Sequence, residues 1–127
     1  MHDRDLYEYA VIRYVPDVER EEFLNVGLLM MCKRRRWIRV RVDIDYERIL
    51  RLHAVHDCGE IESQLATFSA TARGDAASGP MGALLVEERF RWLTAVKSAS
   101  LQTSRPHPGL SDDLDGTFDR LFDRLVK

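Results

Sequence analysis

Apolar residues crowd the first third of the chain in a pattern with a period of two. Over residues 6–15, Tyr7, Tyr9, Val11 and Val15 share one face with Arg13, while Leu6, Ala10, Ile12 and Tyr14 share the other with Glu8. Two mostly apolar faces predict a central strand covered on both sides. Pro16 and Asp17 are expected to stop it, because proline cannot donate to a ladder and aspartate favours turns. The acidic stretch 17–22 reads as a helical turn. A second strand at 24–32 is nearly all apolar, and Gly27 within it marks a bulge or a close backbone approach. Residues 33–36 make a basic turn. Beyond it, 37–43 alternates, with Ile38, Val40 and Val42 pointing one way and Trp37, Arg39 and Arg41 the other. These two strands form a hairpin, and the second is expected to have one face on the core and one in water.

The period then changes to that of a helix. From Asp45, the stripe Tyr46, Ile49, Leu50 and His53 predicts one helix. From about Gly59, Ile61, Leu65, Phe68 and Ala72 predict another. Residues 74–82 (GDAASGPMG) read as a flexible loop. A third helix is expected over 87–97, burying Phe90, Leu93 and Val96, and 98–104 reads as a fourth strand. Pro106, Pro108 and Gly109 predict an irregular turn. Ser111 is placed as the cap of a last helix with the stripe Leu114, Phe118, Leu121, Phe122 and Leu125, and with Asp112, Asp113 and Asp115 near its positive end. The expectation is a single α+β domain, with about four mostly antiparallel strands packed with about four helices. It would comprise a strand-hairpin block at 6–43, a helical middle at 45–72, the loop at 74–82 and a helix-strand-helix block at 87–126.

Composition narrows the class without adding a chemistry. The chain has 127 residues, 45% hydrophobic and 31% charged, with 19 Lys and Arg against 21 Asp and Glu. That is ordinary globular usage for one domain. No apolar run approaches the ~18 residues of a membrane span. The acidic opening MHDRDLYEY lacks the apolar stretch of a secretory signal. Two cysteines, Cys32 and Cys58, are too few for a disulfide scaffold. A cytoplasmic location and no membrane association are expected.

Candidate chemistry is sparse. Lys33, Arg34, Arg35, Arg36, Arg39 and Arg41 put six cations into nine residues. Arg35, Trp37, Arg39 and Arg41 would line the outer face of the hairpin, an arrangement able to hold phosphates and stack a base. The same face also reads as a solvated surface that prevents edge pairing. His53, His56 and Cys58 have zinc-ligand chemistry, but no spacing fixes a fourth ligand, so no metal or cofactor is assigned. Residues 43–47 resemble a calcium loop but place Arg48 where glycine is needed. The loop from Gly74 lacks the Lys and Ser/Thr of a P-loop, and there is no Gly-x-Ser-x-Gly elbow. Polar residues set among apolar ones remain: Arg13, Asn25, Arg89, Trp92, and the group Gln102, Thr103, Ser104 and His107. They predict either an internal network among Arg13, Glu22 and Asn25, or an anion or partner site.

The same segments carry a family likeness. YEYAVIRYVPDVEREEFLNVGLLM at 7–30 resembles the opening of a small bacterial family, domain of unknown function family 3037. ERFRWLTAVKSASLQTSRPHPGLSDDLDGTFDRLFDRLV at 88–126 is similar to its second signature, Arg-Phe-x-Trp-Leu followed by His-x-Gly-Leu and an acidic cap. The likeness picks out Arg13, Pro16, Arg20, Glu22, Asn25, Gly27, Arg89, Trp92, His107 and Gly109. This chain departs from the pattern at Leu28, where Val is usual, and at Val96-Lys97, where Pro-Arg is common. The resemblance implies no assigned reaction, but it does imply a HipA-like kinase as a neighbour and partner.

Three readings follow. The first is a non-catalytic interaction module, partnering a HipA-like kinase through a site drawn from Arg13, Arg20, Glu22, Asn25, Arg89, Trp92 and His107. The second is a nucleic-acid binder using Arg35, Trp37, Arg39 and Arg41. The third is a phosphate-handling enzyme with Arg13, Arg89 and His107 round one pocket. Exposed sheet edges are compatible with a homodimer.

Overall fold

The computed structural model describes residues 4–52, 58–95 and 99–127. In chain order it runs β1 (Asp5–Asp17), a 3-10 turn at Val18–Arg20, β2 (Glu22–Cys32), β3 (Trp37–Val42), α1 (Tyr46–Leu52) and α2 (Cys58–Arg73). Two 3-10 turns at Ala76–Ser78 and Pro80–Ala83 follow, then α3 (Val86–Leu93), β4 (Leu101–Thr103), β5 (His107–Ser111) and α4 (Leu114–Leu125). All strand pairs are antiparallel, in the order β3-β2-β1-β4, with β5 also paired to β1. The α+β expectation holds, with five strands where about four were expected.

β1 is the central strand, and both its faces are covered. Ala10, Ile12 and Tyr14 enter one core with Leu24, Val26, Leu29 and Met31 of β2, Ile49 of α1, Ile61, Leu65, Phe68 and Ala72 of α2, and Val86, Phe90 and Leu93 of α3. Tyr7 enters a second core, on the opposite face, with Leu28 and Met30 of β2 and Phe118, Leu121 and Phe122 of α4. The alternation of β2 slips by one residue, which puts Leu24 and Val26 in the same core as Leu29 and Met31. The slip occurs at Val26: Ile12 pairs with Gly27, and Arg13 with Asn25, so one step on β1 spans two on β2. Gly27 also permits a close approach, because a Cβ there would lie 2.8 Å from the Arg41 carbonyl oxygen.

On its other edge β1 is shared by two short strands. β5 pairs with residues 5–9 and β4 with 12–14, and Ser104 closes the gap between them. The Val11 N–H donates to Ser104 Oγ at 2.9 Å, the Ser104 N–H donates to the Val11 carbonyl at 2.8 Å, and the hydroxyl donates onward to the Arg105 carbonyl at 3.0 Å.

Several sequence expectations need correction. β1 does end at Asp17, but Pro16 lies within it, at an irregularity in register between Tyr14 and Asp17. The expected irregular turn round Pro108 is β5, an edge strand of the kind where a missing donor is tolerated. Gly109 is needed there, since a Cβ would run into the ring of its cross-strand partner Tyr7. Asp113, not Ser111, caps α4 by accepting the Gly116 N–H at 3.1 Å, while Ser111 ends β5 and accepts the Asp113 N–H at 3.0 Å. In α1 only Ile49 of the predicted stripe is buried, while Tyr46 and Leu50 are exposed. The segment expected to be a flexible loop folds into its two 3-10 turns, pinned where Arg89 Nη1 donates to the carbonyl of buried Gly82 at 3.2 Å. α3 ends at Leu93, and Val96 lies outside the described residues.

Ser104 gives a direct test of this architecture. Ser104→Ala removes the buried acceptor for Val11 and is expected to cost about 1–3 kcal/mol in urea unfolding. The exposed change Ser63→Ala should stay within about 0.5 kcal/mol.

Candidate functional site

The pleat of β3 divides the basic run between two places. Trp37, Arg39 and Arg41 lie on the α4 side of the sheet, where Trp37 and Arg39 are half-buried and Arg41 stays exposed, so the outer face expected in water is only partly so. The Arg39 guanidinium lies 4.3 Å from the centre of the Phe118 ring, and that of Arg41 4.4 Å from Phe122. Arg39 also reaches Asp115 and Asp119 of α4, each at 3.1 Å. Trp37 meets Phe118 edge-on at 6.5 Å. Arg35 turns back to the start of β1, where its Nε donates to the buried carboxylate of Asp5 at 2.8 Å. That hydrogen bond holds the Arg35 guanidinium still more firmly in its charged form. The turn cations Lys33, Arg34 and Arg36 stay exposed at the same end of the sheet.

At the opposite end, Arg13, Arg20, Glu22 and Asn25 come near one another without forming the predicted internal network. Arg13 stacks its guanidinium on Phe23, 4.1 Å from the ring centre. Glu22 pairs with Arg20. The Asn25 amide donates to the Leu125 carbonyl at 2.9 Å, satisfying a carbonyl that the last turn of α4 leaves without an intrahelical partner. Each side chain thus makes a separate contact, while Arg13 Nε and Asn25 Oδ1 are buried without a hydrogen-bond partner among the described residues. Arg89 stands on α3, across the sheet from Arg13. His107 shares the face of Arg13, packing its ring 5.2 Å from Tyr9. Tyr9 is four residues before Arg13, however, and four strand residues span about 13 Å. Arg13, Arg89 and His107 therefore do not converge on one pocket. His53 and His56 lie outside the described residues, as does the side chain of Cys58.

The structure instead opens a trough along α3. Leu84, Glu87, Glu88, Arg91, Trp92 and Ala95 follow helical spacing down one wall. Leu6, Tyr7, Glu8, Met31 and Lys33 form the other, round a space of about 800 Å³. Glu88 is partly committed, accepting the Leu85 N–H, and Arg91 forms a two-pronged pair with Glu8 at 2.6 and 3.0 Å. A second recess of about 870 Å³ shares Leu6, Lys33, Leu84 and Glu87 with the first and adds Arg34, Arg36, Leu85, Val86 and Arg89. Large apolar side chains stand exposed round this trough: Leu6 at 62%, Leu85 at 60% and Trp92 at 49%, with Leu110, the cross-strand neighbour of Leu6, at 58%. Sequence reasoning found Arg89 and Trp92 but missed Leu6, Leu84 and Leu85. The available signal was the pair Leu84-Leu85 ahead of an acidic helix start, since adjacent side chains cannot both face one core.

The fold and trough together define a small α+β domain with an open trough of mixed apolar and charged lining. By sequence the chain belongs to the family described as protein of unknown function (DUF3037), whose model matches residues 9–126. No curated protein and no solved structure matches it. Among the described residues, no helix is long and apolar enough to cross a membrane.

The placement of α4 over the basic strand can be measured. Phe118 is fully buried under Arg39, so Phe118→Ala is expected to cost about 3–5 kcal/mol. Arg39→Met keeps the apolar stem and loses two ion pairs and the guanidinium stacking on Phe118, and it should cost about 1–2 kcal/mol in the same denaturation experiment.

Proposed function

We propose that this chain is a cytoplasmic, non-catalytic interaction module that docks a protein partner along the α3 trough, the partner being the HipA-like kinase that the family resemblance implies. The observation that carries the reading is the exposure of Leu6, Leu85 and Trp92, all large and apolar, in two recesses that share a wall, with exposed Leu110 paired beside Leu6. Apolar side chains exposed together mark association sites, whereas singly scattered ones do not. A half-exposed tryptophan backed by a helix has the character of an anchor at such a site. Binding is favoured over turnover because the candidate catalytic groups stand apart. It is favoured over nucleic acid because the Arg39 and Arg41 guanidiniums already stack on Phe118 and Phe122, and Arg39 is ion-paired to two acids of α4.

Co-expression with the HipA-like protein tests this. A complex should co-elute in size exclusion with the wild-type chain, and Trp92→Ala or Leu84→Asp should reduce its yield about tenfold or more. Leu50→Ser, on exposed α1, should leave it intact. Failure to form a complex, or one that ignores the trough substitutions, would falsify the reading.

A further inference from the structure

We infer that the end of the trough beside the β2–β3 turn receives an acidic, leucine-rich segment of the partner protein; this rests on the docking reading above. The recess there is lined by four cations, Lys33, Arg34, Arg36 and Arg89, and by one acid, Glu87. Its remaining walls are Leu6, Leu84, Leu85 and Val86. Charge and apolar surface thus lie within one concavity, and the segment that complements both carries carboxylates on one side and branched aliphatics on the other.

The cations differ in how far they are already neutralised. Arg34 shares Asp5 with Arg35, at 3.6 Å. Arg89 is tied to the Gly82 carbonyl through Nη1, while its Nε is buried without a hydrogen-bond partner among the described residues. Lys33 and Arg36 make no ion pair among the described residues, so the recess has a net positive charge that its own acids do not balance. Away from the turn the trough adds Glu8 and Glu88 against a single further cation, Arg91, which Glu8 already pairs. This gradient sets a direction: the partner's carboxylates lie at the turn, and its apolar residues run towards Trp92. The aliphatic lining argues against nucleic acid, which would call for aromatic stacking surfaces.

The test uses the full chain and two fluorescent synthetic peptides, each about four helical turns long with leucine at helical spacing. One carries glutamate at its polar positions and the other lysine. The glutamate peptide is expected to bind. Lys33→Glu combined with Arg36→Glu should weaken it about tenfold or more, as should raising the salt from about 0.05 to about 0.5 M. Arg36→Gly, which removes the cation at a backbone position suited to glycine, should weaken it in the same direction with the fold intact. Equal binding of the lysine peptide, or glutamate binding untouched by these variants, overturns the inference. The chain's own exposed Leu110, Asp112 and Asp113 form an acidic apolar segment. A sedimenting dimer that is lost with Arg36→Glu would make the occupant a second copy, and would also overturn the inference. If trough variants release the kinase while Lys33 and Arg36 variants do not, docking stands and the acidic specificity falls. If none of them releases it, both fall.

Discussion

A thirteen-residue strand with two mostly apolar faces has to be roofed on both sides and paired along both edges, and β1 imposes that demand on everything round it. β2 satisfies one edge along nearly its whole length, at the cost of a one-residue slip. Without the slip, Leu29 and Met31 would fall on the α4 face and Leu28 and Met30 on the other, so each core would receive the side chains fitted to its opposite. The other edge is met piecemeal by β4 and β5. Because a gap in the ladder would strand the backbone groups of Val11, a serine at the joint supplies both donor and acceptor.

Coverage of the first face is where the structure falls short, and the shortfall creates the trough. β1 extends about 43 Å at 3.3 Å per residue. The eight residues of α3 span about 12 Å and the sixteen of α2 about 24 Å. These helices roof Ala10, Ile12 and Tyr14 but do not cover Leu6, at the start of the strand, or its neighbour Leu110. On the opposite face α4 lies over Tyr7, so that end of the strand is closed on one side and open on the other. The exposed leucines are therefore a consequence of lengths that do not match, concentrated at one place.

Much of this was legible in the residues. The doubly apolar pattern of 6–15 gave the central strand, Gly27 the bulge, and the stripes of α2 and α4 their buried faces. What escaped were outcomes decided by long-range partners. Pro16 and Pro108 lie within strands because one sits at an irregularity and the other on an edge, facts that no local pattern contains. Asp113 took the cap from Ser111 because the tertiary pairing of Ser111 with Asp5 holds it in β5. The stacking of Arg39 and Arg41 on Phe118 and Phe122 escaped because those rings are about eighty residues away in sequence. The trough was the least legible feature, since it depends on how far α3 reaches along β1.

The division of the basic run separates cations that stabilise from cations left available. Arg35, Arg39 and Arg41 each have a partner within the fold: a buried carboxylate, two acids and a ring, or a ring alone. Lys33 and Arg36 sit in the turn and neutralise nothing. Arg36 has a φ of +51°, left-handed backbone that glycine adopts freely and that costs another residue about 1 kcal/mol or more. A turn selected only for stability would place glycine there. A charged side chain held there, beside a recess rich in cations, makes no ion pair among the described residues, and under the proposed docking it faces the carboxylates of the partner.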